Sequence, residues 1–147
     1  MSKRPKLFII RGLPGSGKTT KALHYFPHLM RVETDMYFSR NDKYIFTKEL
    51  NERAVKWFHK SVREFAKTGM DFVVTGVFAA HTERLAKTVK AGLDYGYDVF
   101  IETLTADFGN IHKVPKAHLQ SMREAFVSEG ELRKIYKGNR RVHFGLI

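Results

Sequence analysis

Residues 12–20 read GLPGSGKTT, and they stand between a short apolar run, KLFIIR, and a segment suited to a helix, KALHYF. No other feature restricts the fold as strongly. Gly12, Gly17, Lys18 and Thr19 satisfy the spacing GxxxxGK[ST], in which glycine lets successive backbone N–H groups curl around an anion at a helix N-terminus. In such a loop Leu13, Pro14, Gly15, Ser16 and Thr20 complete the cradle. Lys18 directs positive charge at the β- and γ-phosphates, and the Thr19 hydroxyl is a ligand for Mg²⁺. A nucleoside triphosphate with Mg²⁺ is the expected ligand.

The flanking periodicity extends this to the whole chain. Apolar runs predict strands over 6–11, 30–34, 71–78 and 97–104. Between them, Leu50, Ala54, Trp57, Phe58, Val62 and Phe65 recur at helical spacing across 48–68, and Leu85, Val89 and Leu93 do the same before Gly96. Val114-Pro115 opens a further helix through HLQSMREAF, because proline is accommodated at the first helical position. Alternating strands and helices predict an α/β fold, a P-loop NTPase-type parallel sheet with helices on both faces. The expected organisation is one domain over 1–147, with a small lid at about 105–115 and a basic tail at about 127–147, as a last helix or an arm. Trp57 and Phe58 are read as core. His24 and His28 are separated by Pro27, which argues against a shared metal-binding face.

Composition narrows the chemistry. The chain of 147 residues contains no cysteine, which excludes disulfides, thiolate metal sites and cysteine nucleophiles. LFII is too short for a signal-peptide core or a membrane span, so a cytoplasmic protein is expected. Lys and Arg outnumber Asp and Glu by 26 to 15, a net charge of +11, which favours nucleic-acid phosphates as partners. Arg133, Lys134, Lys137, Arg140 and Arg141 in the tail are candidates for that contact, or else solvated surface.

Asp35, in RVETDMYFSR, follows the second predicted strand as the loop at 12–19 follows the first. In a parallel sheet both would face the crevice beyond the strand ends. A carboxylate there can take a proton from an attacking hydroxyl, or it can simply cap a turn.

Taken together, GLPGSGKTT, TDMYF, VVTGVF and FGNIHKVPKAHLQSM resemble the P-loop kinases of the polynucleotide-kinase type, over about residues 6–126. The resemblance implies an ATP-dependent kinase acting on a hydroxyl of nucleic acid, most naturally a 5′-OH. It makes Asp35 the catalytic base and gives Lys18 and Thr19 the triphosphate and Mg²⁺. Three departures are visible. Thr75 and Gly76 stand where such kinases carry an acidic residue. Phe108 and Gly109 stand beside Asn110 where lid arginines are usual, leaving His112 and Lys113 as substitutes. Phe38 occupies the place of an acceptor-binding arginine, with Arg40 nearby. Two other functions are therefore carried alongside: a kinase of a nucleoside, nucleotide or modified-base hydroxyl, and a nucleic-acid-binding ATPase without an organic acceptor.

Overall fold

The computed structural model describes residues 3–33, 39–40, 43–44, 48–79, 83–108 and 116–146. In chain order the elements are β1 (Lys6–Gly12), α1 (Lys18–Tyr25), β2 (Met30–Glu33), β3 (Ser39–Arg40), β4 (Lys43–Tyr44), α2 (Lys48–Thr68), β5 (Phe72–Gly76), α3 (Glu83–Asp94), β6 (Asp98–Leu104), α4 (Lys116–Ala125), α5 (Glu129–Ile135) and β7 (Val142–Phe144). β2, β5, β1, β6 and β7 lie side by side in that order as a parallel sheet, and β3 pairs with β4 as a separate antiparallel hairpin.

β1 is central, and its sequence is apolar in both alternating sets because both faces are covered. Leu7 and Ile9 join Phe58 and Val62 of α2 and Leu85 and Val89 of α3 in one cluster; Phe8 and Ile10 join Ala22 of α1 in another. Each of these large side chains is nearly or fully buried, a stabilisation of about 1.5–3 kcal/mol apiece relative to exposure. α3 lies close to the sheet at Gly92, where a Cβ would come within 2.9 Å of Leu7 and 3.0 Å of Val99. Tyr97, fully buried, donates its hydroxyl to the Met70 carbonyl at 2.8 Å and so ties the start of β6 to the turn after α2.

The four predicted strands and the first three helices stand within a few residues of their expected places. Two differences have identifiable causes. The strand predicted to run to Phe78 stops at Gly76, and Phe78, at φ 42°, is turned into the left-handed region while its ring is buried. The tail is not an arm. It forms α5 and then β7, whose Val99 and Ile101 neighbours on β6 give it a place in the sheet.

Arg141, among the candidate phosphate contacts, is engaged within the fold. Its guanidinium donates to the Leu93 carbonyl at 2.7 Å and to the Tyr97 carbonyl at 3.0 Å, satisfying acceptors at the C-terminal end of α3. Arg133 pairs with Glu129 at 3.1 Å and lies over the Phe144 ring, and Lys134 pairs with Glu131 at 3.6 Å. Among the described residues, no helix is long and apolar enough to cross a membrane.

Candidate active site

The carboxyl end of β1 runs directly into the glycine-rich loop, and α1 begins as soon as the loop ends. Gly17 makes the junction at φ 92°, a conformation that strains any residue with a Cβ, and the Phe108 ring lies 3.3 Å from where that Cβ would be. The turn is closed by the Ser16 amide on the Leu13 carbonyl at 3.0 Å. From the far side, the Phe108 amide donates to the Gly15 carbonyl at 2.7 Å, so the segment after β6 is bonded to the loop itself.

Lys18 is buried and folds back across the loop, donating to the carbonyls of Gly12 at 2.8 Å and Leu13 at 3.0 Å. Its Nζ is thereby fixed against the first two carbonyls of the loop. Ser16 Oγ is buried without a hydrogen-bond partner, an orphan that an incoming phosphate oxygen can satisfy. Thr19 donates its hydroxyl to Glu33 Oε1 at 2.8 Å, and Arg31 Nε lies 2.9 Å from the same carboxylate oxygen. Thr19 and Glu33 offer oxygen donors alone, which suits a hard divalent cation such as Mg²⁺. Among the described residues, His, Asp and Glu do not gather in a group of three or more that could hold a metal, so water and phosphate oxygens would complete the coordination.

Two cavities open from this end of the sheet, on opposite faces. The first, of about 550 Å³, is lined by Gly17, Thr20, Lys21, His24, Leu104 and Phe108, between α1 and the segment after β6. Phe108 is 77% exposed, an aromatic face presented at the mouth of that cavity. The second, of about 440 Å³, lies between α2, α3 and α4 beyond the end of β5, where Val55, His59, Phe78, Arg84 and Met122 form its wall. His59 is held below the usual histidine range, first by burial and then by the positive charges of Lys87 and Arg84, with Glu83 opposing.

Between the cavities stands Arg11, the residue immediately before Gly12 and fully buried. Its Nε donates to the Phe78 carbonyl at 3.0 Å, Nη1 to Thr103 Oγ1 at 3.0 Å, and Nη2 to the carbonyls of Ala79 at 3.0 Å and Val127 at 2.6 Å; its guanidinium also lies over the Phe126 ring. Burial lowers its pKa to about 10, with Glu129 pulling the other way. Arg11 thus fixes the turn at Phe78 and joins β1, β6 and the segment between α4 and α5.

The loop residues Gly12–Thr20 fall where the sequence predicts. Asp35, Asn110, His112 and Lys113 lie outside the described residues, as does the side chain of Arg40, whose backbone is in β3. Sequence reasoning missed Glu33, Arg11, and the cavity at His59 and Arg84. The available signal for Glu33 was its position: it ends β2, the strand whose continuation carries Asp35. Arg11 offered one as well, a charge at the end of an otherwise apolar strand.

No family model matches the chain. Among solved structures it is similar to a chain of the Pnkp1/Rnl/Hen1 RNA repair complex, with TM-score 0.64 and 20% identity over 85% of this chain and 45% of that one. A second structure of the Pnkp1/Rnl/Hen1 complex aligns at TM-score 0.56 and 23% identity, over 82% of this chain and 40% of that one. A gluconokinase from Sinorhizobium meliloti 1021 aligns at TM-score 0.55 and 13% identity, over 97% of this chain and 83% of that one. The chain therefore spans less than half the length of the two complex chains. The likeness is one of fold: a parallel sheet with a glycine-rich phosphate loop after its central strand.

Proposed function

We propose that the chain is an ATP-dependent phosphotransferase that moves the γ-phosphate to a hydroxyl of nucleic acid, a 5′-OH end in particular. The observation that carries the reading is the phosphate loop, whose cavity beside α1 gives room for a donor, together with a second cavity beyond the end of β5 that gives room for an acceptor. On the first side, the loop amides and Lys18 bind the triphosphate, and Phe108 provides a face for the base to stack on. Bound Mg²⁺, held by Thr19, supplies charge to offset that developing on the transferred group. On the second side, Arg84 attracts an acceptor phosphate while Phe78 and Met122 exclude water. Asp35 takes the proton from the acceptor hydroxyl as the oxygen attacks phosphorus and the bond to the β-phosphate oxygen breaks. The net charge of +11 and the similarity to a chain of an RNA repair complex support a nucleic-acid acceptor.

The test is γ-labelled ATP and Mg²⁺ with 5′-OH DNA, 5′-OH RNA, nucleosides and buffer alone, beside Asp35→Asn. Label on a 5′-OH oligonucleotide that disappears with Asp35→Asn is the expected result; label only in inorganic phosphate would overturn the transfer reading. A second reading has its own support. A cavity of about 440 Å³ lies within the size range of small-molecule sites, and a gluconokinase shares the fold, so a small acceptor hydroxyl fits too. Oligonucleotide use that weakens steeply with salt separates the polymer from the small substrate.

A further inference from the structure

The phosphate loop leaves one position unexplained: the end of β5, where Thr75 and Gly76 provide no carboxylate to steady a cation beside Thr19. The neighbouring strand provides one. Glu33, the last residue of β2, pairs in register with Thr75, and its Oε1 accepts the Thr19 hydroxyl proton at 2.8 Å. The Glu33 side chain is only 16% exposed and the adjoining Arg31 side chain 27%, so the carboxylate is held between two partners and is not a freely rotating surface group.

The direction of that hydrogen bond matters. A threonine hydroxyl has one proton and two lone pairs, and committing the proton to Glu33 turns the lone pairs elsewhere, toward whatever cation stands at the loop. The charge of the carboxylate is offset by Arg31 at 2.9 Å, so orientation of the Thr19 hydroxyl is the larger part of its effect. From this geometry we infer that Glu33 is a positioning residue for the divalent cation, acting through the Thr19 hydroxyl and replacing from β2 the acid that β5 lacks. The inference rests on the nucleotide site proposed above.

Partners of this kind that orient a metal ligand typically change cation affinity by about 10–100-fold when removed. The experiment is calorimetric titration of wild type, Glu33→Gln and Glu33→Ala with a non-hydrolysable ATP analogue across a series of free Mg²⁺ concentrations, with melting curves recorded without ligand. Wild type is expected to bind the analogue more tightly as Mg²⁺ rises. In Glu33→Ala the Mg²⁺ concentration giving half of that gain should rise by about tenfold or more, and in Glu33→Gln, which keeps an acceptor for Thr19, by less, while affinity without Mg²⁺ stays the same in both. If Glu33→Ala fails to fold, Glu33→Met, which keeps the bulk but offers Thr19 no oxygen acceptor, takes its place. A Mg²⁺ response unchanged in the folded variants, or a wild type that binds the analogue with no response to Mg²⁺, overturns the role of Glu33 alone. A wild type that binds no nucleotide under any condition overturns both the role and the nucleotide site.

Discussion

The two cavities at the phosphate loop are built from different materials. The one beside α1 opens onto the main-chain cradle at Gly15–Gly17, to which the Phe108 amide is bonded, with Lys21, His24, Leu104 and Phe108 as the rest of its wall. The one beyond β5 is walled by side chains from three helices, His59, Arg84 and Met122 among them. Main-chain geometry survives most substitutions, whereas a wall of side chains can be remade one residue at a time. A site of this design can keep its phosphate loop constant while the wall of the second cavity changes.

Substitutions on either side should separate the two regions. The largest effect is expected at Lys18→Met, which removes the ammonium over the cradle. Transfer should fall by about 10²–10³-fold in a label-transfer assay, with the melting temperature little altered. Comparable activity in that variant would mean that the loop does not contact the reacting phosphate. Arg11→Met tests the boundary between the cavities. It leaves the Phe78, Ala79 and Val127 carbonyls without their donor, and urea unfolding should show a loss of about 3 kcal/mol. A loss under about 1 kcal/mol would show that water replaces the guanidinium readily.

A smaller and more selective pair follows. Arg84→Ala should raise the acceptor KM by about tenfold and leave nucleotide affinity unchanged, and Phe108→Ala should do the reverse, as read by steady-state kinetics beside calorimetry. If both variants shift the same constant, the division into donor and acceptor sides is wrong. The smallest effect concerns His59. Its folded pKa lies below the unfolded value of 6.5, so the unfolded chain takes up the proton more readily. Stability present above about pH 6.5 is lost as the pH falls through that range. Between pH 7 and pH 5, wild type should lose about 1–2 °C more in melting temperature than His59→Gln, and an equal response would place the histidine in open solvent.

The parts legible from sequence were those governed by local pattern. GxxxxGK[ST] between an apolar strand and a helix placed the loop, and the continuous apolar runs KLFIIR and DFVVTGVF placed the central strands. Arg11 and Arg141 read as ordinary charges because their partners are main-chain carbonyls 44 to 116 residues away, at Tyr97 for Arg141 and Val127 for Arg11. Main-chain acceptors carry no residue code, and no pattern search can point to them. β7 was missed for another reason: at three residues, with only Val142 buried, it is too short to show alternation and owes its conformation to β6. Glu33 escaped notice because its neighbour Asp35 offered a louder chemical signal.

The position of β7 has a consequence for how the chain is made. It pairs with β6 at one margin of the sheet and follows the other described strands in the chain. Until it docks, β6 presents an unpaired row of amides and carbonyls, flanked by Val99 and Ile101, to any other nascent chain. Arg141, bonded to the Leu93 and Tyr97 carbonyls just ahead of β7, anchors the strand at that margin and so keeps the β6 edge covered.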